Sequence, residues 1–239
     1  MNKNFFIGIL AAGKGTRMES NIPKVLHSLG NKAIIDYVLD TAYKLNPEKI
    51  FTVVGFKKEL VIDHINNSNI EYIEQKEQLG TGHAVLQLDN QLHGKDGHLL
   101  ILYGDVPNIK HSTLLPIVDE HIKENIDATM ITAILEDPTG YGRIVRDQSG
   151  NLIKIVEEKD CNVSEKTIKE MNPGIYIFKI SELFKNLKKV KSNNESKEYY
   201  LTDVIELINN GGTVKTKKID NPKEIIGINT IKQLESFQK

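Results

Sequence analysis

Hydrophobic positions fall in short buried runs that alternate with stretches of helical spacing through the first half of the chain. Phe5–Leu10 is a continuous apolar run of strand length. Ile34, Ile35, Val38, Leu39 and Ala42 recur with helical period, which predicts a helix with Asn31 as its cap. Ile50–Val54 reads as a second strand, Lys57–Ile65 as a short helix and Ile70–Ile73 as a third strand. Gly82–Leu88 opens another helix, Leu99–Tyr103 is a buried strand closed by Gly104-Asp105, and His111–Ile122 is helical. Strands that alternate with helices predict right-handed βαβ units and a mostly parallel sheet.

The rhythm changes past residue 127. Ala128–Leu135, Gly142–Val145, Leu152–Val156 and Ile175–Phe178 read as strands separated by polar turns. A helix over Tyr199–Ile208, a strand over Val214–Ile219 and a terminal helix over Thr230–Phe237 complete the pattern, and 188–197 is expected to be the most mobile loop. No linker and no internal repeat divides the chain. The expectation is a single α/β, Rossmann-like domain over 1–239, with a mostly parallel central sheet and a β-rich second half.

Composition narrows the partners. The 239 residues carry 31 Lys+Arg against 32 Asp+Glu, so the near-zero net charge gives no reason to expect nucleic acid or an anionic membrane. No apolar run approaches a membrane span, and the N-terminal run passes into Lys14 and Arg17 where a signal peptide would need small neutral residues. The lone Cys161 can form neither an internal disulfide nor a thiolate zinc site. A cytoplasmic protein is expected.

The chemistry concentrates after the first strand, in Leu10-Ala-Ala-Gly-Lys-Gly-Thr-Arg-Met18, with Pro23-Lys24 following. Small residues let a ligand approach the backbone, and successive free N–H groups make an anion-binding nest. Arg17 and Lys24 add two cations, so a polyphosphate is the natural ligand. The segment is neither a dinucleotide fingerprint, which would need Gly where Met18 stands, nor a Walker A loop. A Gly-rich turn with solvated basic residues is the bland alternative for the Gly-x-Gly element alone.

This segment resembles the opening of the sugar-1-phosphate nucleotidylyltransferases. Gln75-Lys-Glu-Gln-Leu-Gly-Thr-Gly-His-Ala84, Tyr103-Gly-Asp-Val-Pro107, Asp137-Pro-Thr-Gly-Tyr-Gly-Arg-Ile144, Val156-Glu-Glu-Lys-Asp160, Glu170-Met-Asn-Pro-Gly-Ile175, Glu198-Tyr-Tyr-Leu-Thr-Asp203 and Gly227-Ile-Asn229 continue the match in order. The resemblance is to the UDP-N-acetylglucosamine pyrophosphorylases, in particular the uridylyltransferase half of the bifunctional bacterial enzymes. It implies a nucleotide-binding part over about 1–110, a sugar-binding part over about 111–229 and a terminal helix over 230–239. The acetyltransferase β-helix of those enzymes has no counterpart in this sequence, and the 239 residues are expected to make one uridylyltransferase domain.

The resemblance also assigns roles. Arg17 and Lys24 become the catalytic cations. Leu10, Ala11, Ala12, Gly13, Lys24, Gln75, Gly80 and Thr81 become the nucleotide site. An amide such as Gln75 can donate and accept along one edge, which discriminates uracil from cytosine. Thr81 alone would be an ordinary helix N-cap. Tyr103, Gly142, Glu157, Asn172 and Thr202 become the sugar site, with Glu158 expected to face solvent by strand alternation. One of Tyr199 and Tyr200 is expected to pack and the other to face the sugar. Asp105 and Asn229 become the ligands of Mg²⁺. Read singly, Asp105 fits a turn or helix cap and Asn229 a cap before Thr230. His83 is expected to support structure rather than chemistry.

The implied reaction is Mg²⁺-dependent uridylyl transfer from UTP to N-acetylglucosamine 1-phosphate. The alternatives are another sugar 1-phosphate such as glucose 1-phosphate, CTP in place of UTP, or a nucleotide-sugar-binding module without catalysis. No HExxH or G-x-S-x-G pattern supports a zinc hydrolase or a serine hydrolase. The oligomeric state stays open.

Overall fold

The computed structural model describes residues 2–238. Strand β1 (Asn2–Ala11) is followed by a ribbon of β2 (Ser28–Leu29) and β3 (Lys32–Ala33). Then come α1 (Ile34–Lys44), β4 (Pro47–Val54), α2 (Lys58–Ile65), β5 (Ile70–Glu74), α3 (Thr81–Leu86), α4 (Asp89–Leu92), β6 (His98–Tyr103) and α5 (His111–Lys123). The second half holds β7 (Ala128–Ile134), β8 (Gly142–Arg146), β9 (Leu152–Val156), β10 (Glu170–Asn172) and β11 (Tyr176–Lys179). It ends with α6 (Ile180–Leu187), α7 (Thr202–Asn209), β12 (Val214–Lys218) and α8 (Ile231–Phe237).

One sheet runs in the order β5-β4-β1-β6-β11-β7-β10-β8-β9, with β12 beside β7. The first four strands are parallel. β11 then wedges in antiparallel to both β6 and β7. β10 takes over the same edge of β7, and β12 runs parallel along the other.

The apolar run of β1 follows from burial on both faces. Phe5, Ile7, Ile9 and Ala11 enter one core, whereas Phe6 and Leu10 enter the core on the opposite face. A smaller cluster of Met18, Leu29, Ile34, Ile228 and Leu234 ties the loop after β1 to α8.

Several local expectations change. Asn31 lies in the turn of the ribbon and is not the cap of α1. Ala33 takes that place, with Asp36 accepting its N–H at 2.8 Å. The helix expected from Tyr199 begins at Thr202, because the preceding backbone bonds elsewhere. Helix α6 and strand β10 are elements that the sequence pattern does not predict. Residues 189–201 carry no helix or strand, and Asn194 braces this loop by accepting from Glu198 N at 3.0 Å and donating to Glu198 O at 2.6 Å. Cys161 is buried. Among the described residues, no helix is long and apolar enough to cross a membrane.

Candidate active site

From β1 the chain builds outward through β4 and β5 on one side, then returns to place β6 on the other. The strand order therefore reverses between β1 and β6, and ligands of open α/β sheets bind beyond the carboxyl ends at such a point. Two adjoining cavities open there, of about 250 and 310 Å³. They share a wall of Lys24, Thr81, Tyr103, Asp105 and Glu198.

The smaller cavity is lined by Leu10, Ala11, Ala12 and Gly13 from the end of β1 and by Gln75 and Gly80 beyond β5. The loop after β1 folds back tightly. Gly15 adopts φ +61°, and a Cβ there would stand 2.6 Å from the Cβ of Lys24. Met18 anchors this loop in the small third core, which leaves Arg17 exposed toward the site. The Gln75 side chain is buried, its amide nitrogen 3.1 Å from Gly80 O and 3.1 Å from His83 Nδ1. His83 thus braces Gln75, in line with its expected supporting place. Gln78, three residues beyond Gln75, also lines this cavity, although nothing but its motif context marks it in the sequence.

The larger cavity receives Arg17, Gly142, Glu157, Asn172, Thr202 and Asn229. Every expected site residue therefore lines one cavity or both. Asn172 is fixed by donating to Tyr176 Oη at 2.6 Å and accepting from Gly174 N at 3.1 Å. Thr202 donates to Glu157 Oε1 at 3.2 Å. Burial pushes the Glu157 carboxyl up to about 7, with Thr202 opposing the shift. Tyr200 lines this cavity, while Tyr199 stands beside the His83 ring and forms part of a separate groove. Gly140 and Tyr141 join the lining, and only their motif context marked them.

Two side chains differ from expectation. Thr81 is not the cap of α3. Gly80 holds that position, and Thr81 Oγ1 accepts from Leu201 N at 3.1 Å. Glu158 does not simply face solvent, because Arg143 Nη1 lies 2.8 Å from its Oε2.

At the shared wall, Lys24 Nζ donates to Asp105 Oδ2 and, at 3.0 Å, to Asn229 Oδ1. Arg17 Nη2 donates to the same Asn229 oxygen at 3.0 Å. Ile228 N binds Asp105 O at 2.9 Å, so the two loops travel together. One carboxylate and one amide oxygen thus converge on a single cationic point. No group of three or more His, Cys, Asp or Glu is gathered to hold a metal among the described residues. This donor set fits Mg²⁺, a hard ion that takes oxygen, keeps waters and shares substrate phosphates.

Two cations and a carboxylate thus stand between two adjoining clefts at the switch point of an open α/β sheet, where sheets of this class take their ligands. Residues 8–222 match the family model described as Nucleotidyl transferase, and the chain belongs to that family. It is 43% identical over 231 residues to the Bifunctional protein GlmU of Caldanaerobacter subterraneus subsp. tengcongensis, covering 97% of this chain and 50% of that protein. With the Bifunctional protein GlmU of Thermosipho melanesiensis the identity is 47% over 231 residues, covering 97% and 49%. The chain therefore spans about half the length of the curated relatives it matches. The fold is similar to that of a UDP-glucose pyrophosphorylase complexed with UDP-glucose, with a TM-score of 0.79 at 19% identity, covering 98% of this chain and 96% of the other.

Proposed function

We propose that this chain transfers a uridylyl group from UTP to N-acetylglucosamine 1-phosphate, giving UDP-N-acetylglucosamine and pyrophosphate. The observation that carries the reading is the meeting of Arg17, Lys24, Asp105 and Asn229 at the wall between the two cavities. In this reading nucleotide phosphates would meet a sugar phosphate there. The motif series, which resembles the UDP-N-acetylglucosamine pyrophosphorylases, supports the uridine and the N-acetylated sugar.

A phosphate oxygen of the sugar phosphate attacks the α-phosphorus of UTP, and the bond to the β-phosphate oxygen breaks to release pyrophosphate. A phosphate monoester has its second pKa near ~6 and is largely dianionic at neutral pH, so no general base is required. The barrier lies in bringing two anions together and in the charge on the leaving group. Positioned cations and alignment serve that need. Arg17 and Lys24 hold the triphosphate and stabilise the transition-state charge, and Gln75 meets the base. Glu157, Asn172 and Thr202 bind the sugar. Asp105 and Asn229 would hold Mg²⁺, which supplies charge neutralisation across the phosphates when bound.

The test is a panel of sugar 1-phosphates and nucleoside triphosphates with Mg²⁺, read by pyrophosphate release. UTP with N-acetylglucosamine 1-phosphate is expected to be the fastest pair. Equal rates with glucose 1-phosphate would overturn the sugar assignment, and a preference for CTP the base assignment. Binding of the UDP-sugar without turnover would overturn catalysis itself.

A further inference from the structure

Arg143 is 2% exposed, so its guanidinium must find partners inside the protein. Nη1 lies 2.8 Å from Glu158 Oε2 and also donates to the carbonyl of Tyr141. The same Glu158 oxygen accepts the N–H of Gly140 at 3.1 Å. Both backbone partners belong to one turn, and that turn forms a lip of the larger cavity. Gly140 holds φ +89° there, a conformation suited to glycine. Gly142 follows, opposite Asn172 in the sheet, and a Cβ on it would stand 3.4 Å from Glu157 Oε2. Neither Arg143 nor Glu158 lines the cavity, so neither contacts its occupant directly.

We propose that Arg143 and Glu158 are positioning residues that hold the Gly140–Gly142 lip in the shape that admits the sugar phosphate. The proposal rests on the reading of the larger cavity as the sugar-phosphate site. An ion pair between a buried guanidinium and a half-buried carboxylate, fixing two backbone groups of a Gly-rich turn, acts as a frame for an otherwise permissive segment. Removing the carboxylate releases the Gly140 N–H and leaves Arg143 with only the Tyr141 carbonyl. The lip loses its fixed shape while the nucleotide cavity keeps all of its own contacts.

Full chains carrying Glu158→Ala and Glu158→Gln are assayed beside the wild type with both substrates varied, after thermal melts establish that each is folded. Glu158→Ala is expected to raise KM for the sugar phosphate about tenfold, the scale of one lost charge-assisted hydrogen bond, while KM for UTP stays within about twofold. Glu158→Gln retains a neutral acceptor for Gly140 and is expected to recover most of the effect, leaving a rise of about threefold. An unchanged KM for the sugar phosphate, or an equal rise in both KM values, overturns the proposal. If the alanine variant fails to fold, the glutamine variant decides by the same split. The wild type keeps the two readings apart. If it prefers glucose 1-phosphate, the substrate assignment falls, and the Glu158 comparison is run with the preferred sugar phosphate.

Discussion

Arg17 and Lys24 approach Asn229 Oδ1 from one loop, each at 3.0 Å, and in the proposed reaction each would carry a separate part of the phosphate charge. Arg17→Ala and Lys24→Ala are each expected to lower kcat by ~10²–10³ at saturating substrates, the scale of one lost electrostatic donor. Full turnover in either variant would falsify that role. Glu157 makes a second test, because burial raises its pKa to about 7 from an ordinary value near 4.5. The folded chain holds the proton more tightly than the unfolded one between these values. The stability this adds is complete below about 4.5 and is lost as pH rises through about 7. Glu157→Gln should therefore raise the melting temperature at pH 8 by several degrees (~2–4 °C per kcal/mol at this size), with a smaller gain at pH 5. It should also weaken sugar-phosphate binding. Equal melting shifts at both pH values would contradict the buried-carboxylate argument. Most site residues were legible because they sit in short motifs at strand ends. Glu158 was misread because a 3-10 turn begins there, and strand alternation stops with β9. The Thr81 hydroxyl serves Leu201, 120 residues away, a pairing that local spacing cannot reveal.

At the scale of elements, α5, β6 and β7 meet in a polar joint. His121, at the end of α5, is fully buried, with Nδ1 2.8 Å from Thr129 Oγ1 on β7. The ring of His98, at the start of β6, packs edge-on at 4.9 Å. Burial, and secondarily His98, pull the His121 pKa down to about 3. The unfolded chain takes up a proton below about 6.5, and the folded chain does not until about 3. Stability from this joint is present above the first value and drains away toward the second, at up to about 1.4 kcal/mol per pH unit. Urea midpoints should fall between pH 6.5 and 5, and His121→Gln should flatten that slope. The same slope in the variant would place the acid sensitivity elsewhere. Element legibility followed length. The long apolar strands and α5 were plain, whereas the three residues of β10 are too few to show a period. Helix α6 was missed despite Ile180, Leu183, Phe184 and Leu187 at helical spacing, because its pattern runs straight on from β11.

In the whole molecule, the loop between β5 and α3 and the segment before α7 are stitched by backbone. Gly82 N donates to Tyr199 O and Tyr199 N to Leu79 O, each at 2.8 Å. UTP alone should therefore slow hydrogen exchange at 199–201 as well as at 79–82. Protection confined to 79–82 would show that the stitching does not transmit order. None of this pairing was readable beforehand, because helical and strand periods state which face is buried and not which strand lies beside which. The position of β11 is the clearest case. It sits at the centre of the sheet, yet it is made roughly seventy residues after β6. A ribosome adding ~5–20 residues per second leaves the apolar edge of β6 open for roughly four to fifteen seconds in every round of synthesis. During that interval the nascent chain presents an unpaired edge on a strand rich in leucine and isoleucine, the kind of surface that recruits other chains. The wedge that completes the sheet thereby also sets when the newborn protein most needs protection from its neighbours.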